Sequence, residues 1–220
     1  MEKIIGVNYA FTSSTYRVKR WLDELPDLIA CDFEVASKFT KKEKDLFRLR
    51  LKQTKNMDKR RVLEQYIESN GLSHPSLTVV THFSVAWTNS DAYVILCTNK
   101  AVREMVFRFL ITTDKTQLWH NSTFDFKHLL YNTGQLPKNY IDTQLLAKSL
   151  LNDANSFRDL VGLKELMGRK YGDWSLIKRE DRYTLENIKD PVMIRYSAID
   201  SCACFELYQD IQDFLTQWEI

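Results

Sequence analysis

The stretch LIACDFEV, residues 28–35, decides the fold. It is short and almost continuously apolar, the mark of a strand covered on both faces. Two carboxylates interrupt it, Asp32 and Glu34. A charge inside a buried strand is costly unless it has a partner. Side chains alternate along a strand, so residues two apart share a face. Asp32 and Glu34 therefore point the same way, and Phe33 packs into the opposite layer.

Upstream, the apolar spacing of YRVKRWLDELPDL (16–28) predicts a helix ended by Pro26. Downstream, SLTVVTHFSVAWT (76–88) and AYVILCT (92–98) are rich in β-formers and are separated by Asn-Ser-Asp, which predicts a hairpin. AVREMVFRFL (101–110) follows as a helix, and QLWHN (117–121) as another strand. Beyond it the pattern is helical, through FKHLLYN, DTQLLAKSLL, SFRDLVGLKELMG and the run DPVMIRYSAIDSCACFELYQDIQDFLTQW. This order predicts an α/β fold with a mixed central sheet flanked by helices. At 220 residues, one domain spanning 1–220 can bury a substantial core without staples.

The formal charge of +2 is nearly neutral and by itself does not suggest nucleic acid. Its distribution is more telling. Residues 41–61, KKEKDLFRLRLKQTKNMDKRR, hold ten Lys/Arg against three acids, about +7, which leaves about −5 for the rest. The surrounding segment 38–74 reads as one or two amphipathic helices stopped at Asn70-Gly71. Cys31, Cys97, Cys202 and Cys204 sit in apolar surroundings without a C-x-x-C pair, as buried free thiols do in a reducing compartment. MEKIIGVNYA lacks the long apolar core of a secretion signal. No apolar run approaches the roughly 20 residues of a membrane span. The expectation is a soluble, cytoplasmic protein.

Two further patterns join D-x-E. HNSTFD carries N-x-x-aromatic-D, with Asn121 and Asp125, and YSAID carries Y-x-x-x-D, with Tyr196 and Asp200. Each pattern occurs once. Tyr196 and Asp200 are spaced i, i+4, one helical turn apart on the same face. Gathered carboxylates repel one another unless a cation neutralises them, and hard divalent ions with oxygen ligands do so well. Simpler roles compete: Asp125 as a helix N-cap, Tyr196 as a buried aromatic on an amphipathic helix, and Lys38 and Lys127 as solvated charges. Asp142, just before Thr143, is fully accounted for by helix capping.

Taken in order, the three motifs resemble those of the DEDD superfamily, the 3′→5′ exonucleases on a ribonuclease-H-like fold. The tyrosine four residues before the last aspartate is similar to the DEDDy branch, which includes polymerase proofreading domains and ribonuclease D-like enzymes. The likeness spans roughly residues 20–212 and includes DTQLLAKSLL (142–151) and LVGLKELMGRKYG (160–172). In the related DEDDh branch a histidine stands five before the last aspartate, as His120 stands before Asp125. That assignment fails, because no second motif lies between Glu34 and His120, and position 195 is Arg.

The resemblance implies that Asp32, Glu34, Asp125 and Asp200 hold two divalent cations, Mg²⁺ with Mn²⁺ as substitute, and that Tyr196 orients the attacking water. Asn121 would lie close by. It also makes the basic segment 38–74 an insertion. The excess positive charge of 41–61 allows Arg48, Lys52 and Lys55 to meet a phosphate backbone, with a solvated helical face or a protein-binding surface as the alternatives, and Lys38 is another candidate contact. The implied activity is 3′→5′ hydrolysis of single-stranded DNA to nucleoside 5′-monophosphates, with a DNA polymerase or replication protein as candidate partner and a phage as a fitting origin. A ribonuclease D-like activity on RNA and a non-enzymatic binding module are the alternatives.

Overall fold

The computed structural model describes residues 4–38, 49, 53–57, 74–76, 78–150, 161–172, 174 and 188–217. Six strands form one sheet: β1 (Asn8–Thr12), β2 (Leu28–Ser37), β3 (Thr78–Ala86), β4 (Asp91–Leu96), β5 (Thr116–Trp119) and β6 (Tyr140–Asp142). Their order is β1-β4-β3-β2-β5-β6. Strands β2, β3 and β4 pair antiparallel, while β1 on β4, β5 on β2 and β6 on β5 are parallel. The helices are α1 (Thr15–Glu24), α2 (Lys100–Thr112), α3 (Ser122–Thr133), α4 (Thr143–Leu150), α5 (Leu163–Tyr171) and α6 (Pro191–Gln217). This is the mixed central sheet flanked by helices that the sequence predicts. None of the described helices is long and apolar enough to cross a membrane.

The alternation in β2 divides two cores. Ile29, Cys31, Phe33 and Val35 pack with Val18, Trp21 and Leu22 of α1 and with Val102, Val106 and Phe107 of α2. Ala30 faces the other side, among Ile194, Ala198 and Cys202 of α6 and Met167 of α5. By the same parity Asp32 and Glu34 face α6. Phe33 anchors the first core, edge-on to Trp119 at 5.5 Å, Phe83 at 5.7 Å and Phe107 at 5.8 Å. Phe33→Ala is expected to cost about 3–5 kcal/mol in urea denaturation, the scale for a fully buried phenyl group. A loss below about 1 kcal/mol would show that the strand is not pinned there.

The hairpin at 87–91 is present, with β3 and β4 in antiparallel register. The Asp91 carboxylate tightens its turn by accepting from Thr88 Oγ1 at 2.7 Å and Ser90 Oγ at 3.2 Å. The four thiols are buried and free. Two strands carry little sequence signal: β1 is a mostly exposed edge strand, NYAFT, and β6 has only three residues. The helix read from Phe126 begins earlier, at Ser122. Of the basic insertion, 39–48, 50–52 and 58–73 lie outside the described residues.

Candidate active site

The site forms where the sheet parts. Parallel pairing of β2 with β5 ends at Ala30 and Leu118, so β2 runs on past its neighbour. Beyond β5 the chain turns at Asn121, whose φ of 61° and ψ of 51° are left-handed. Asn121 is the one non-glycine with positive φ among the described residues. Asparagine tolerates that conformation better than most residues. The buried carboxylate of Asp142 holds the turn, accepting from Asn121 N at 3.2 Å, Ser122 N at 2.8 Å and Ser122 Oγ at 2.7 Å. It also accepts from Gln144 N at 2.9 Å and Leu145 N at 3.2 Å, capping α4 as the sequence predicts. One aspartate thus fastens two helix starts.

The turn launches α3 toward the unpaired edge of β2. Asp125, in the first turn of α3 rather than at its cap, is buried, and its Oδ1 accepts from Phe33 N at 3.0 Å. That bond replaces the ladder bond β5 no longer supplies. Burial, and then the nearby charge of Asp32, hold the Asp125 carboxyl well above the ordinary range.

Asp32, Glu34 and Asp200 offer carboxylate oxygens that all lie within 4.8 Å of one another. Asp200 comes from α6, one turn after Tyr196, and both are buried. A register shift in β2–β3 pairing follows Glu34, leaving Thr81 as the extra residue, whose hydroxyl donates to Glu34 O at 3.1 Å. Bulges of this kind re-aim side chains beside active sites. Asp32 is half-buried as a residue, but its Oδ2 is buried and has no hydrogen-bond partner. Burial, then Asp200, push its carboxyl up to about 8, while Lys164 pulls the other way.

These features form a pocket of about 340 Å³, lined by Asp32, Asn121, Lys164, Tyr196 and Asp200 among others. That is the lower end of the size range for small-ligand sites. An all-oxygen donor set, mutual repulsion and an orphaned buried oxygen suit a hard divalent cation such as Mg²⁺.

Other sequence readings fall differently. His120 also lines the pocket, but its ring nitrogens are bonded to Thr143 Oγ1 and Val161 O, both at 3.0 Å. Burial lowers its pKa to about 4, so it is a neutral strut and not a member of a catalytic set. Lys38 is exposed, and its Nζ donates to Ser76 O at 3.0 Å. Lys127 Nζ lies 4.4 Å from the centre of the Phe124 ring. Lys55 is exposed, and Arg48 and Lys52 lie outside the described residues.

Two residues missed in the sequence complete the site. Trp174 Nε1 donates to Asp200 Oδ1 at 2.6 Å. Lys164 Nζ donates to the Tyr196 hydroxyl. A signal existed for each. A buried indole N–H needs an acceptor, and a lysine in the first turn of a helix opposes the helix dipole.

The comparisons with known proteins agree with this fold. The DNA polymerase A type 3′-5′ exonuclease family matches residues 19–216. No curated protein sequence matches significantly. Among solved structures, Brucella melitensis NrnC with bound Mg²⁺ is similar at TM-score 0.55 and 16% identity, over 98% of this chain and 83% of that one. The Aedes aegypti Nibbler EXO domain is similar at TM-score 0.55 and 14% identity, over 99% and 94%. Escherichia coli RNase D, an exoribonuclease involved in structured RNA processing, gives TM-score 0.57 and 16% identity, over 94% of this chain and 45% of that one. Identities this low speak for the fold alone, while the family match runs through all three motifs. The chain belongs to the 3′-5′ exonuclease family.

Proposed function

We propose that this exonuclease removes nucleotides one at a time from the 3′ end of single-stranded nucleic acid. Water attacks the last phosphorus, the P–O3′ bond breaks, and a nucleoside 5′-monophosphate leaves a new 3′-hydroxyl. The observation that carries this reading is the trio Asp32, Glu34 and Asp200, with carboxylate oxygens within 4.8 Å of one another. These three would hold a divalent cation, Mg²⁺ or Mn²⁺, with Asp125 assigned to a second one through water. When bound, such ions lower the pKa of water and stabilise the charge that builds on phosphate oxygens.

The chain's own groups have distinct tasks. The Tyr196 hydroxyl lies at the pocket wall, where it orients the attacking water. A phenol, with an ordinary pKa near 10, is a poor base at neutral pH, so positioning is its task. Trp174 holds one oxygen of Asp200 and so orients its carboxylate among the three acids. Asn121, at the pocket mouth, is placed to contact the terminal nucleotide.

DNA is the reading supported by the match to polymerase-type exonucleases, and a polymerase or replication protein as partner belongs to that reading. RNA is supported by the fold's likeness to Trypanosoma brucei RNase D in complex with RNA U12 and to NrnC bound to pGG. Matched 5′-labelled single strands of DNA and RNA separate the two. DNA shortening faster by one nucleotide per step supports the first, and faster RNA shortening supports the second. Internal cutting of either would contradict the 3′-end reading.

A further inference from the structure

Lys164 occupies the second position of α5, inside the turn where the helix dipole disfavours a cation. Its ammonium is nonetheless held there. It donates to the Tyr196 hydroxyl, lies 4.2 Å from the centre of the Tyr196 ring and 6.0 Å from that of Trp174. Trp174 in turn grips Asp200. Asp32 feels the same positive charge. A lysine on a flexible stem could have reached solvent at little cost. Here it stays among the site's carboxylates, and two aromatic rings hold it.

The direction of the Lys164–Tyr196 bond has a consequence. Ammonium has only donors, so the phenol oxygen accepts. The phenol's own proton must then point away from Lys164. We propose that Lys164 is a positioning residue that makes Tyr196 a hydrogen-bond donor toward the reacting water or phosphate, and that its fixed charge weakens divalent-cation binding while favouring turnover. This rests on the cation-site reading above. It adds that the protein supplies part of the positive charge its carboxylates require.

The two effects carry opposite signs, which a purely structural lysine cannot produce. Lys164→Met removes both charge and donor. Mn²⁺ binding, followed by the resonance of free Mn²⁺ without substrate, is expected to tighten on the order of tenfold, because a nearby positive charge is gone. Turnover is expected to fall about 10–100-fold, the scale of one lost positioning group. Lys164→Arg should keep Mn²⁺ affinity near that of wild type and restore most of the turnover. Lys164→Gln, which retains a donor for the hydroxyl without the charge, should tighten Mn²⁺ as Met does while losing less turnover, and it serves if the Met variant does not fold.

Weaker or unchanged Mn²⁺ binding in folded Met and Gln variants would overturn the inference and leave the exonuclease reading intact. Wild type that fails to bind Mn²⁺, with Asp200→Asn no different, would overturn the cation site and the inference with it.

Discussion

Replacing Asp32 with asparagine is expected to abolish hydrolysis, by roughly a thousandfold or more, while stabilising the cation-free protein. Both outcomes follow from one carboxylate. Its Oδ2 is buried without a hydrogen-bond partner, and burial and Asp200 push its pKa up to about 8. A folded-state pKa above the unfolded value means that the native state holds the proton more tightly. Native stability in chelator should therefore decline as pH rises from about 4 to about 8, where the folded carboxylate is forced to ionise. Asp32→Asn removes that slope. At pH 8 the gain should be on the order of 2–4 kcal/mol, read by denaturation in chelator at pH 5 and pH 8. An asparagine variant less stable than wild type at both pH values would make Asp32 a structural residue.

Tyr196→Phe is expected to slow turnover about 10–1,000-fold while leaving Mn²⁺ affinity nearly unchanged. The ring is buried and packs against α6's own neighbours, so removing the hydroxyl alone leaves the fold in place. What disappears is the oxygen that accepts from Lys164. Calorimetric loss of Mn²⁺ binding in this variant would instead assign Tyr196 to the cation.

The sequence was most legible where local pattern and tertiary role coincide. LIACDFEV reads as a buried strand because burial on both faces leaves few polar residues, and its alternation places Phe33 in one core and its two acids toward α6. Tyr196 and Asp200 were legible for the analogous reason, since helical spacing alone puts them on one face. The edge strands were not: NYAFT is mostly exposed and YID too short to show alternation, so only their partners β4 and β5 make them strands. Asp142 was read correctly as a cap, yet its hold on the Asn121 turn depends on two segments meeting 20 residues apart. Lys164 and Trp174 lie within and beside the stretch LVGLKELMGRKYG, whose local pattern gives them no role. Their meaning lies in contacts 32 and 26 residues away, with Tyr196 and Asp200.

Anomalous diffraction from crystals soaked in Mn²⁺ tests the central claim most directly. The expected result is a peak bonded to carboxylate oxygens of Asp32, Glu34 and Asp200, lost in Asp200→Asn. Crystals that show Mn²⁺ elsewhere, with the Asp32 carboxylate protonated and bonded within the protein, would contradict it.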